Sequence, residues 1–136
     1  MSSLLKIDNM SVSFATPRGN LRAVNDVTIE LLKGESLGVV GESGSGKTVL
    51  SRATMGLLPG TATRTGTITY NGQVISDLPK DEVRELWGTG MAMIFQDPMT
   101  ALNPVRRIGA QLTESLTVRL GMDKKVAKQK AIELLM

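Results

Sequence analysis

The chain has 136 residues, a net charge of +3 from 16 Lys and Arg against 13 Asp and Glu, and neither His nor Cys. With 41% apolar and 21% charged residues, it has the length and balance of one globular domain with a core, not of a disordered chain. The missing His and Cys exclude a disulfide framework, a Cys/His zinc site and a Ser-His-Asp triad within these residues, and apolar runs as short as Met91 to Phe95 exclude a spanning helix, which needs about 20 apolar residues.

In chain order, Leu4 to Phe14 reads as extended, with Val12 and Phe14 on one face. After the turn cluster Thr16-Pro-Arg-Gly-Asn20, the stretch Val24 to Leu32 alternates Val27, Ile29 and Leu31 inward, as a half-buried strand does. Lys33-Gly34 breaks the chain before Ser36 to Val40, an apolar run without alternation that predicts a central parallel strand. From Lys47 the period becomes helical, with Leu50, Ala53 and Leu57 on one stripe and Pro59-Gly60 as the stop. Asn71-Gly72 between Thr67 to Tyr70 and Gln73 to Ile75 predicts a hairpin. Pro79 opens a short helix through Leu86 and Trp87, and Met91 to Phe95 predicts a second buried strand. Asn103-Pro104 caps a helix with the stripe Ile108, Leu112, Leu116 and Leu120, ended by Gly121. Asp123 caps the last helix, which places Ala127, Ala131, Leu134 and Leu135 on one face. The basic excess is concentrated here: residues 101–136 carry seven Lys and Arg against three Asp and Glu, a pattern that ordinarily marks a solvated helix face.

Gly41-Glu-Ser-Gly-Ser-Gly46-Lys47-Thr48 fits G-x-x-x-x-G-K-[ST] at every fixed position, after a predicted strand and at the start of a predicted helix. That context gives the motif its mechanism. Gly41, Gly44 and Gly46 let the backbone curl so that successive N–H groups surround a phosphate, and the helix beginning near Lys47 adds its positive end. Lys47 is placed to reach the β- and γ-phosphates, and the Thr48 hydroxyl to ligate Mg²⁺. A phosphate loop alone serves kinases, GTPases, helicases and transport motors, so it fixes neither the base nor the task.

Beyond the loop, the sequence resembles the ATP-binding cassette (ABC) ATPases, and within them the subunits of peptide and nickel importers. The resemblance rests on Gly34-Glu35, Val40 to Thr48, Met55-Gly-Leu-Leu-Pro59 and, above all, Ile94-Phe-Gln-Asp-Pro-Met-Thr-Ala-Leu-Asn-Pro104. It implies an α/β fold: an ABC-type nucleotide-binding domain of the P-loop NTPase class, incomplete, with an antiparallel β-subdomain. Residues 1–136 would be the N-terminal part of that single domain, with the P-loop core and β-subdomain in about 1–104 and the start of the helical subdomain in about 105–136. The last helix lacks a stop signal, in keeping with the N-terminal portion of a longer ATPase.

The resemblance further implies ATP and Mg²⁺ as ligands, with Ser43 and Ser45 joining Gly41, Gly44, Gly46, Lys47 and Thr48 in the nucleotide cradle. Phe14 matches the aromatic that stacks on adenine. Gln96 matches the glutamine that contacts Mg²⁺ and the attacking water, which makes Lys47 and Gln96 the candidate catalytic residues and Thr48 and Gln96 the metal ligands. Implied partners are transmembrane permease subunits, a second ATPase subunit in a head-to-tail sandwich and, indirectly, a solute-binding protein, at the cytoplasmic face of a membrane. Nucleic acid is not expected as a partner, although a non-transport ABC ATPase acting on nucleic acid or the ribosome is the alternative, as is a nucleotide-binding fragment without turnover. The family's Leu-Ser-Gly-Gly-Gln-like signature, its aliphatic strand ending in Asp-Glu and its switch His do not occur in the 136 residues. Turnover by this chain alone is therefore not expected.

Overall fold

The computed structural model describes residues 2–97 and 101–136, so Pro98, Met99 and Thr100 of the Ile94 to Pro104 stretch lie outside the described residues. The chain divides into two compact units, Met1–Arg84 and Glu85–Met136.

The first unit is built on a four-stranded antiparallel sheet in the order β2-β1-β3-β4, from β1 (Ser3–Thr16), β2 (Gly19–Leu32), β3 (Ala62–Tyr70) and β4 (Gln73–Val74). The hairpin turns fall where the sequence places them. Thr16 Oγ1 donates to the Gly19 carbonyl at 2.6 Å across the first, and Asn71 (φ 48°) and Gly72 (φ 84°) form the second, both in the left-handed region that a tight two-residue hairpin demands. Strict alternation would place Ile7 and Met10, three residues apart, on opposite faces, yet both are buried. The reason is a pair of facing bulges: the β1–β2 register gains a residue on β1 between Ile7 and Met10 and another on β2 between Val24 and Val27. Asn9 and Asp26, both at φ 50°, are the extra residues, tied by Asn9 Nδ2 donating to Asp26 Oδ1 at 2.9 Å. Gly66 of β3 faces the same bend, and a side chain there would approach the Asp8 carbonyl to 2.6 Å.

Helix α1 (Lys47–Thr54) packs against β1 and β2, and buries Leu50 and Ala53 in the core that holds Met10, Val12, Val24 and Ile68. It stops earlier than Pro59-Gly60 predicts. Gly56 at φ 68° turns the chain left-handed, with its N–H on Ala53 O and the Leu57 N–H on Arg52 O at 2.8 Å, a paired C-terminal cap that an interior glycine supplies unannounced. Helix α2 (Lys80–Glu85) follows Pro79 and buries Val83.

In the second unit, α3 (Ile108–Val118) packs on α4 (Lys124–Glu133). Asn103 does cap a turn, its Oδ1 accepting from Val105 N–H at 3.0 Å, but the helix proper begins four residues beyond Pro104. Asp123 caps α4 through Lys125 N–H at 2.8 Å. Ala127 and Ala131 are buried, whereas Leu134 and Leu135 lie past the helix end and are exposed. An open groove between the two helices is lined by Ile108, Leu112, Ala131, Ile132 and Leu135, with Lys124 and Lys128 alongside. Among the described residues no helix is long and apolar enough to cross a membrane.

The predicted central parallel strand and the second predicted buried strand, Met91 to Phe95, do not form ladders, although Met91 makes an isolated bridge to Trp87. Ser36 to Val40 and Ala92 to Phe95 are without regular structure, and Val40 and Ile94 are 93% and 98% exposed. A parallel strand is held by lateral hydrogen bonds to neighbours on its sheet, and among the described residues no strand pairs with either segment. Apolar composition marks what such a segment is suited to, but the ladder needs a partner.

Candidate functional site

The chain leaves β2 through a local clamp. Glu35 N–H donates to Leu32 O at 3.2 Å while the Glu35 carboxylate accepts from Leu32 N–H at 2.9 Å, and Gly34 at φ 80° makes the reversal possible. From here the backbone runs to a turn at Ser43 and Gly44, where Ser45 N–H donates to Glu42 O at 3.2 Å, and enters α1.

The three loop glycines are required for three different reasons. Gly44 sits at φ 82° with open space where a side chain would project. Gly46, the residue before α1, sits at φ 91° and lies so close to β2 that a side chain would collide with the Ala23 carbonyl. Gly41 has no left-handed backbone, but a side chain there would meet the Ser45 hydroxyl at 2.7 Å. A loop anchored on β2 at one end and without side chains at Gly41, Gly44 and Gly46 is a shape that lets backbone amides approach an anion.

Helix α1 opens with no side-chain cap and no acidic residue in its first turn. The first helical amides are therefore left for an outside acceptor, at the end where the helix dipole is positive. Thr48, second in the helix, is exposed, as is Ser43. The Lys47 ammonium folds back over the loop and donates to Gly41 O at 2.7 Å, Glu42 O at 2.7 Å and Ser45 Oγ at 3.1 Å. The loop's positive charge is thus fixed above the glycines before any ligand arrives.

Phe14 lies near the end of β1, opposite Leu21 of β2 and Ala62 of β3. Val12 is fully buried, whereas Phe14 is only half-buried. It shares the first unit with residues 41–48. Gln96 belongs to the second unit, where it is exposed at a bend just after the half-exposed Phe95. Of the C-terminal basic residues, Arg106 pairs with Glu114 at 2.9 Å and Lys130 with Glu133 at 3.3 Å, as expected of a solvated helical surface.

Sequence reasoning missed the seating of the loop on β2 through Ala23, the Glu35 clamp and the contact between Ser45 and Lys47. Only Gly34-Glu35 and the Ser45 between two glycines gave any signal, since a backbone carbonyl such as that of Ala23 leaves no mark on the sequence.

The residues present suit a nucleoside triphosphate with Mg²⁺: an open helix N-terminus, a loop with open space at Gly44, the Lys47 cation bonded to that loop and an exposed hydroxyl at Thr48. Comparison with known proteins agrees with that chemistry. The family model described as ABC transporter matches residues 24–135. The oligopeptide transport ATP-binding protein OppD of Salmonella typhimurium is 46% identical over 132 residues, which cover 97% of this chain and 39% of that protein. The dipeptide transport ATP-binding protein DppD of Bacillus subtilis is 42% identical over 137 residues, 99% of this chain and 41% of that one. The chain thus spans about two fifths of the length of these curated relatives. Among solved structures, the ATP-binding cassette MJ0796, in a dimeric post-hydrolysis state bound to ADP and Pi, aligns with a TM-score of 0.80 at 20% identity. That alignment covers 96% of this chain and 55% of that one, and it is a likeness of fold.

Proposed function

The chain belongs to the ABC transporter family, and from that premise we propose that it is the nucleotide-binding part of an ATPase subunit that powers import of peptides or related solutes. The observation that carries the proposal is the phosphate loop itself, with Gly46 seated on β2, α1 uncapped and Lys47 held above the glycines. The names of the relatives, transport ATP-binding proteins for oligopeptides and dipeptides, supply the cargo class.

In this reading the first-turn amides of α1 and the amides of residues 43–47 bind the β-phosphate, and Lys47 bridges the β- and γ-phosphates. Thr48 would hold Mg²⁺, with Gln96 as its further proposed ligand, and the ion would offset phosphate charge when bound. Phe14 would offer its half-buried ring to adenine, where a phenyl ring stacks but donates no hydrogen bond. Gln96 orients the attacking water, since its amide can both ligate a hard cation and hold a water. Residues 1–104 serve as P-loop core and β-subdomain and 105–136 as the start of the helical subdomain. Permease subunits, a second ATPase subunit and, through the permease, a solute-binding protein are the partners, at the cytoplasmic face of a membrane.

Two experiments test this. Calorimetric titration of the chain with Mg²⁺ and ATP should give one site that Lys47→Ala weakens. In cells that carry the intact gene, the same substitution should abolish uptake of labelled oligopeptides. Oligopeptide uptake unchanged by Lys47→Ala in the gene would refute the transport assignment even if the chain bound ATP.

A further inference from the structure

An ammonium group has three hydrogens to donate and no lone pair. Lys47 has all three engaged by its own loop: the Gly41 carbonyl at 2.7 Å, the Glu42 carbonyl at 2.7 Å and the Ser45 hydroxyl at 3.1 Å. A phosphate oxygen that is to be held by Lys47 must therefore displace one of these three. The two carbonyl bonds are the shorter, and the Glu42 carbonyl is further fixed by Ser45 N–H at 3.2 Å. The Ser45 hydroxyl is the longest of the three acceptors, sits on a side chain with one freely rotating bond to its oxygen, and can satisfy itself with water once released.

We propose that Ser45 is a placeholder for a phosphate oxygen: in the free loop its hydroxyl holds the third hydrogen of Lys47, and ligand binding hands that hydrogen to the phosphate while the Gly41 and Glu42 carbonyls keep the ammonium in place. Ser45 is thus a positioning residue that acts through Lys47. The space at Gly41 fits the same device. Its missing side chain is occupied by the Ser45 hydroxyl, which a Cβ would meet at 2.7 Å, while the Ser45 Cβ would be at an ordinary 3.4 Å. The free lysine is kept from swinging into solvent, and the ligand exchanges one bond instead of ordering a four-carbon stem.

This rests on the reading of residues 41–48 as the triphosphate site, and it fixes the sign of an otherwise ambiguous substitution. If the Ser45 bond exists only in the free loop, deleting it removes a competitor of the ligand. Ser45→Ala should then tighten ATP by about two- to tenfold, the worth of one net hydrogen bond between polar groups. Ser45→Thr, which keeps the hydroxyl, should not tighten ATP. In a Lys47→Ala background Ser45→Ala should have no effect, because the hydrogen that Ser45 holds is gone. The measurement is calorimetric titration of the 136-residue chain and its four variants with ATP, each variant first matched to the parent in thermal unfolding. A gain confined to the Lys47 background, absent in Ser45→Thr, supports the exchange. Weaker or unchanged binding in Ser45→Ala, or an equal gain with and without Lys47, overturns it and leaves the triphosphate site standing. Equal ATP affinity in Lys47→Ala and the parent would overturn both.

Discussion

Two glycines with nearly the same backbone angle should answer very differently to the same substitution. Gly44 (φ 82°) and Gly46 (φ 91°) both lie where an L-residue costs about 1–2 kcal/mol, a loss that the stiffer unfolded chain of an alanine variant offsets by about 0.4–1 kcal/mol. At Gly44 nothing lies within 4 Å of the added methyl, so Gly44→Ala should cost at most about 1.6 kcal/mol of stability. At Gly46 the methyl runs into the Ala23 carbonyl and comes within 3.4 Å of a Val24 methyl. Neither can yield without moving β2, and an overpacking cost of about 1–3 kcal/mol is added, for a total of about 1–5 kcal/mol. For a chain of this size each kcal/mol moves the unfolding midpoint by about 3–5 °C, so the added overpacking cost of about 1–3 kcal/mol should make Gly46→Ala melt roughly 3–15 °C below Gly44→Ala. Binding should rank the other way among folded molecules. The open space at Gly44 is where phosphate must come close, and Gly44→Ala should weaken ATP at least about tenfold, the effect of losing one charge-assisted contact. Circular-dichroism melts and calorimetric titrations read the two quantities separately. Equal melting points for the two variants, or parental ATP affinity in Gly44→Ala, would refute the argument.

Other substitutions follow the same logic. Lys47→Ala should cost ATP about 1.5–3 kcal/mol in calorimetric titration, as expected for a charge-assisted contact. Phe14→Ala should weaken ATP by about 1–3 kcal/mol while sparing inorganic triphosphate, and equal losses for both would make Phe14 a packing residue only. Asp123→Ala should destabilise α4 by about 1 kcal/mol, read as a lower unfolding midpoint, because Lys125 N–H loses its acceptor. Phosphate release by the chain should equal that of its own Lys47→Ala variant.

What the sequence made legible was whatever is decided within a few residues. The Asn71-Gly72 turn, the Asp123 cap, the start of α1 after Gly46 and the spacing of the phosphate loop are local chemistry, and the structure has them where the pattern places them. What was illegible depends on partners distant in the chain. The bulges at Asn9 and Asp26 arise because two strands each gain a residue against the other, and no alternation count reveals that. The same holds for Ser36 to Val40, whose apolar run identified a strand in search of neighbours but could not supply them. The end of α1 was missed for a different reason. Gly56 reads as one more residue of a helical stretch unless its left-handed angle is known, whereas Pro59-Gly60 advertises a stop that the chain has already made.

The expectation about phosphate release follows from what phosphoryl transfer demands beyond binding. Positioned phosphates and a cation are necessary, yet an attacking water must also be oriented in line, and the charge that develops on the γ-phosphate needs donors on its far side. In the proposed site the first unit would supply the cradle, the cation and a hydroxyl for the metal. For the water the 136 residues offer Gln96, an amide that can hold a water but cannot take its proton at neutral pH. With no His in the sequence and no aliphatic strand ending in Asp-Glu, the base and the switch that the family's mechanism uses are not available to this chain acting alone. Binding should then be separable from turnover: tight, Lys47-dependent ATP binding without Lys47-dependent phosphate release. Release above the Lys47→Ala level, from protein free of other ATPases, would mean that Gln96 and the loop suffice, and that the division of labour argued here is wrong.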